Sequence, residues 1–178
     1  MINHETHLLY SALCYEAGHG RRTQHILKVY ALAKLLGEQE GISTEEQQIL
    51  QAAAILHDIA IKYCKEHGDG DSSQEKQKQV APQLVIPFLQ KAEYLPSYIP
   101  KVLELVERHH DYDGPKSKLL QLLMEADLII NCYESIQNHE KNTRDSGCFS
   151  NIRRKRTFVA LLERCGRIGG LYEPDSIH

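Results

Sequence analysis

Apolar residues return every three to four positions along almost the whole chain, and no segment of five or more residues alternates apolar with polar. That pattern confines the chain to an all-α fold. Glu5 to Glu16 is predicted to form a first helix, closed by Gly18-His19-Gly20. Arg22 to Gln39 is a second, with Val29, Leu32, Leu35 and Leu36 inward and Gly41 past its end. Ser43 or Thr44 caps a third helix, with Glu45 and Glu46 against its N-terminal dipole, that carries Ile49, Leu50, Ala53, Ala54 and Leu56 inward and ends near Asp58. Glu66 to Gln79 is polar and turn-rich and is expected to be a mobile loop, in the position of a lid. Gln74 to Ala92 is a fourth helix, with a late start or a kink expected at Pro82 and Pro87. A fifth runs from Pro100 to His110, stopped by Asp111-Tyr112-Asp113-Gly114-Pro115, and a sixth from Lys118 to Gln137. A last covers Ile152 to Cys165.

At 178 residues with 42% hydrophobic side chains, the chain is large enough for one sizeable core, and a single domain over 1–178 is expected. A formal charge of −3 provides no global basic field for a nucleic-acid polymer or an anionic membrane, so any anion must be bound locally. There is no run of 18 apolar residues and no basic, apolar leader at the N-terminus, which leads us to expect a cytoplasmic protein. Five scattered cysteines without a Cys-x-x-Cys argue against a disulfide framework and a cysteine zinc site; they are expected to be reduced and mostly buried.

The ten histidines carry the chemistry. Ala52-Ala53-Ala54-Ile55-Leu56-His57-Asp58-Ile59 ends a small-residue apolar helix on a His-Asp pair, and a carboxylate in such surroundings is costly to bury unless a cation neutralises it. His25 shares a helix face with Val29, Leu32 and Leu36, and Asp127 shares one with Leu120, Leu123 and Ile130. Singly, each residue is better explained as a hydrogen-bonded core histidine or a paired carboxylate. Jointly, three helices offer two imidazoles and two carboxylates to one interior. That donor set suits Mn, Fe, Co, Ni or Zn better than Ca or Mg.

This order, His25, then His57-Asp58, then Asp127, resembles the H…HD…D signature of the HD superfamily of metal-dependent phosphohydrolases. The likeness extends from about Arg21 to Glu134 and includes Arg-Arg-Thr-Gln-His-Ile-Leu-Lys-Val-Tyr, Ala-Ala-Ile-Leu-His-Asp-Ile-Ala and Met-Glu-Ala-Asp-Leu-Ile-Ile-Asn. It implies a bundle of about five core helices (about 21–137) with terminal helices, including a C-terminal extension over about 150–178. It also implies that His25, His57, Asp58 and Asp127 are metal ligands. In some members, histidines matching His109 and His110 hold a second metal bridged by the Asp of the pair, so one ion or two is expected. A further ligand in such members comes from the intervening helix, where Glu75 is the nearest candidate, His67 a weaker one and a solvated surface Glu the competing reading.

Arg21 and Arg22, one turn before His25, and Lys62, one turn after Asp58, are placed to neutralise a phosphoryl oxygen, with a solvent-exposed basic residue as the alternative. The chemistry implied is hydrolysis of a small phosphoester or phosphoanhydride, a nucleotide or related compound, by metal-activated water. Asp58 orients the water or accepts its proton, His109 or His110 stabilises charge or protonates the leaving oxygen, and Arg22 and Lys62 clamp phosphate. Two other classes stay open: a di-iron oxygenase with much the same ligands, and a non-catalytic nucleotide-sensing module. The expected partner is the small phosphorylated substrate, with no nucleic-acid polymer and no membrane; a homodimer is compatible with the sequence.

Overall fold

The structure, a computed structural model, describes residues 4–67 and 70–141, with side chains described as far as residue 135. The expected helix at Ile152 to Cys165, with Cys148 and Cys165, lies outside the described residues. The chain divides into two compact units, Met1–Ile130 and Asn131–His178, and the first holds the core described below.

Among the described residues there are seven α-helices and no strand: α1 (His4–Tyr15), α2 (Gly20–Gln39), α3 (Thr44–Leu56), α4 (Ala60–His67), α5 (Gln74–Lys91), α6 (Ile99–Arg108) and α7 (Lys118–Lys141). The all-α expectation is met. α3 is the axis of the bundle, packed against α1, α2 and α6. Every residue from Ile49 to Leu56 is buried, which the small side chains of Ala52, Ala53 and Ala54 permit by allowing neighbouring helices to approach closely on several sides. Its start is fixed by a capping box. Glu46 N donates to Ser43 Oγ at 3.2 Å and Ser43 N donates to Glu46 Oε2 at 2.9 Å, so two otherwise orphaned amides are satisfied. Between α2 and α3 the approach depends on Gly37, where a Cβ would lie 2.2 Å from Gln47 Oε1.

Two expectations need correction around the polar segment. Helix α3 stops at Leu56, close to its expected end near Asp58, and the chain turns through His57–Ile59 and restarts as α4 (Ala60–His67), so Glu66 and His67 are helical where a loop was expected. Helix α5 then begins at once on its cap Ser73, whose side chain accepts from Lys76 N, and runs through both prolines. Prolines are tolerated here partly because the carbonyl deprived of a partner by Pro87 belongs to exposed Gln83, where water can satisfy it. The expected loop is thereby shortened at both ends, by α4 as far as His67 and by α5 from Gln74. Of the three described cysteines only Cys64 is buried; Cys14 is exposed and Cys132 intermediate, because each lies off the apolar stripe of its helix. No helix among the described residues is long and apolar enough to cross a membrane.

Candidate metal centre

Four elements deliver the candidate ligands to one place. α2 supplies His25 from its buried face, the α3–α4 turn supplies His57 and Asp58, and α7 supplies Asp127 from a stretch buried nearly all round, Leu122 to Ile129. The C-cap of α6 is His109, followed by His110. His57, His109 and Asp127 are almost wholly inaccessible and His25 nearly so.

The geometry is a closed set of nitrogen and oxygen atoms. His25 Nε2 lies 3.2 Å from His57 Nε2 and 3.1 Å from Asp127 Oδ1. His57 Nε2 lies 3.6 Å from Asp127 Oδ1 and 3.6 Å from Asp58 Oδ2, and His25 Nε2 is 3.8 Å from the same Asp58 oxygen. The other oxygen, Asp58 Oδ1, faces His109 Nε2 at 3.6 Å. Donor atoms around one ion with bonds of about 2.0–2.2 Å stand about 3–3.5 Å apart, close to this spacing. Two groups of three can each place their donors within one small sphere: His25, His57 and Asp58, and Asp58, His109 and His110. Asp58 belongs to both.

Imidazole tautomers sharpen the point. His57 Nδ1 donates to Ala54 O at 2.8 Å and His109 Nδ1 donates to Val106 O at 2.6 Å. A neutral ring whose Nδ1 carries the proton offers a lone pair at Nε2. These lone pairs face carboxylate oxygens, which also carry lone pairs, and His109 Nε2 is buried without a hydrogen-bond partner. Something positive must sit among them, a proton or a metal ion. Without a metal, the proton takes that place. Burial alone would push His57 down, but Asp58 beside it and Asp127 carry it up to about 9. Burial would raise both carboxyls, yet His57 holds Asp58, and His25 with His57 hold Asp127, far below the ordinary carboxylate range. His110 goes the other way: burial and neighbouring His109 push it down to about 4, leaving a neutral ring able to ligate. The backbone carbonyls that fix His57 and His109 are the outer contacts that orient metal-bound histidines. The residues therefore fit a divalent cation, and a donor set mixing imidazole with carboxylate fits a transition metal.

The six ligand candidates are brought together, while Arg22 and Lys62, expected as phosphate clamps, are engaged at the end of α1. Arg22 Nε donates to buried Glu16 Oε2 at 2.7 Å, and Lys62 Nζ donates to Tyr15 O at 2.5 Å with its charge 4.9 Å over the Tyr15 ring. The end of α1 thus takes both cations, a neighbour that spacing from His25 or Asp58 does not reveal. Glu75 is exposed and accepts from Gln79, and His67 is exposed and bonded to Tyr63 O. What the sequence reading missed is the face of α5 that lines a pocket beside the histidines. A pocket is lined by His57, His109 and His110 on one side and by Gln74, Gln77, Lys78 and Ala81 on the other. Their spacing of three, one and three residues is the helical signal that could have found them.

Neither the curated proteins nor the solved structures compared with the chain gave a match. A family model described as the HD domain matches residues 22–132 and takes in all six clustered residues. The chain, with its His25, His57-Asp58 and Asp127 in one buried cluster, belongs to the HD domain family, a superfamily of metal-dependent phosphohydrolases.

Proposed function

We propose that this chain is a metal-dependent phosphohydrolase acting on a small phosphorylated substrate, a nucleotide or related phosphoester or phosphoanhydride. The observation that carries the reading is Asp58, whose two oxygens point at different imidazole groups, Oδ2 toward His25 and His57 and Oδ1 toward His109. We assign His25, His57, Asp58 and Asp127 to one divalent ion, and Asp58, His109 and His110 to a second. Bound there, the ions would supply Lewis acidity, lowering the pKa of water and polarising a phosphoryl oxygen.

The rest falls to the chain. The carbonyls of Ala54 and Val106 fix His57 and His109 so that Nε2 of each stays aimed inward. Asp58 and Asp127, held as carboxylates, concentrate negative charge that keeps cations in place. His110, neutral at physiological pH, serves as a ligand or hydrogen-bond donor rather than as a source of a proton. The pocket opens to solvent beside His57, His109 and His110, which puts the candidate ligands within reach of a small molecule arriving from outside.

The test is elemental analysis of protein purified without added metal, followed by phosphate release from nucleotides, sugar phosphates and dinucleoside polyphosphates with Mn or Co. Metal bound in a fixed ratio and phosphate released without oxygen are expected. Two irons per chain with oxygen-dependent turnover would replace this reading by an oxygenase, and nucleotide binding without release would replace it by a sensor.

A further inference from the structure

The proposed function leaves one wall of the pocket without a task, and its chemistry is specific. Lys78 Nζ is held by Asp111 Oδ1 at 2.6 Å, and Arg108 Nε approaches the other oxygen of Asp111 at 3.7 Å. Asp111 follows His110 directly, so the tether fixes a cation from α5 beside the histidines of α6. An ammonium group has three donors and Asp111 uses one. One residue earlier, Gln77 donates its Nε2 to Ser72 O at 2.8 Å, while its Oε1 is buried without a hydrogen-bond partner. The amide orientation is settled by that carbonyl, so Oε1 is an acceptor in need of a donor. Glu107 also lines the pocket, and with Asp111 it opposes Lys78 in sign, so an anion gains entry only once divalent cations have made the site positive.

We infer that Lys78 and Gln77 form the substrate-recognition wall: Lys78 takes an oxygen of the phosphate, and Gln77 Oε1 accepts a hydrogen bond from a hydroxyl on the ester. The wall selects hydroxylated phosphate esters, the class to which sugar phosphates and nucleotides belong, over esters whose organic part carries no donor. This inference rests on the phosphohydrolase reading and specifies its substrate class. It assigns Lys78 the clamping role that spacing alone gave to Arg22 and Lys62.

The experiment uses the full chain loaded with Mn, with inorganic phosphate as the first probe in calorimetry. Lys78→Met is expected to weaken phosphate binding at least tenfold with metal stoichiometry unchanged, and Lys78→Arg to restore it to within about threefold. Ribose 5-phosphate and phenyl phosphate are the second pair of probes. Gln77→Leu should raise KM for ribose 5-phosphate severalfold while leaving that for phenyl phosphate and the affinity for inorganic phosphate unmoved. Phosphate bound equally by Lys78→Met and the parent overturns the inference alone. So does a Gln77→Leu effect of the same size on both esters, or loss of metal or helicity in Lys78→Met and Lys78→Gln alike. A metal-loaded parent that neither binds phosphate nor hydrolyses any ester defeats the phosphohydrolase reading itself, and this inference with it.

Discussion

Two places in the bundle bury charge, and they solve the problem differently. Where α1 ends, Glu16 retains 1% exposure and meets the Arg22 guanidinium at 2.7 Å; Lys62 caps the same helix end through Tyr15 O. A permanent cation meets each oxygen there, and the arrangement is complete without any ligand. At the cluster of His25, His57, Asp58, His109 and Asp127, the carboxylates face imidazoles, which are cationic only when they carry a second proton. Both are buried polar networks, but only the second has a surplus of lone pairs. That surplus separates a site built to hold a cation from a site built to hold the fold.

The sharpest way to break this comparison is to remove one member from each place. Asp58→Ala is expected to abolish metal uptake and reduce turnover to the uncatalysed background, since Asp58 serves both donor groups; elemental analysis and phosphate release measure the two. Arg22→Ala is expected to do the opposite. It leaves Glu16 buried without its partner and should lower stability by about 2–3 kcal/mol, less than a fully buried pair because the guanidinium keeps 20% exposure. Metal content should stay at the parental ratio. Denaturant unfolding of Arg22→Ala with metal analysis would detect the reverse, an unchanged midpoint with lost metal, which would return Arg22 to the site.

The same contrast shows which parts could be read from the sequence. The pair His57-Asp58 and the faces of His25 and Asp127 were legible because each is set by local period on a helix, and a helix places its residues where the period says. The start of α3 at Ser43 or Thr44 was legible for the same reason, and the structure settles it on Ser43 with Glu46 bonding back. The partners of Arg22 and Lys62 were not legible because a long cation goes to the nearest oxygen in space, and the end of α1 is near only after folding. Helix α4 escaped because it buries only Ala60 and Cys64, one short stripe among polar residues. Lys78 was hidden in Gln-Glu-Lys-Gln-Lys-Gln, a run that looks solvated on every side, so that only the fold shows positions 74, 77, 78 and 81 turned toward the histidines.

Metal addition sharpens the comparison from the other direction. A cation that binds the folded chain and not the unfolded one should raise stability by about 2.7 kcal/mol at a hundred times its dissociation constant. In thermal unfolding the parent and Arg22→Ala should gain equally from metal, starting from different midpoints, while Asp58→Ala should gain nothing. A chelator should reverse the gain in the first two. Equal responses in all three proteins would mean that the ion binds elsewhere.

The smallest expected effect belongs to the end of α1 and lies at high pH. Burial, and then the charges of Glu16 and Glu66, push the Tyr15 hydroxyl up to about 12, with Arg22 pulling the other way, against an ordinary value near 10. A group whose folded pKa is raised contributes stability that is whole below its unfolded pKa and is lost as pH climbs through the folded one. The loss attributable to Tyr15 therefore falls between pH 10 and 12, and it is modest because the ring is only partly buried. Tyr94, also raised by burial, contributes a slope of its own to any variant. The readout is thus the difference between the parent and Tyr15→Phe in denaturant midpoint across that window. The parent should fall more steeply, with metal stoichiometry at pH 8 identical in the two. Parallel curves would show that the phenol ionises freely and that α1 ends on Lys62 and Glu16 without help from Tyr15.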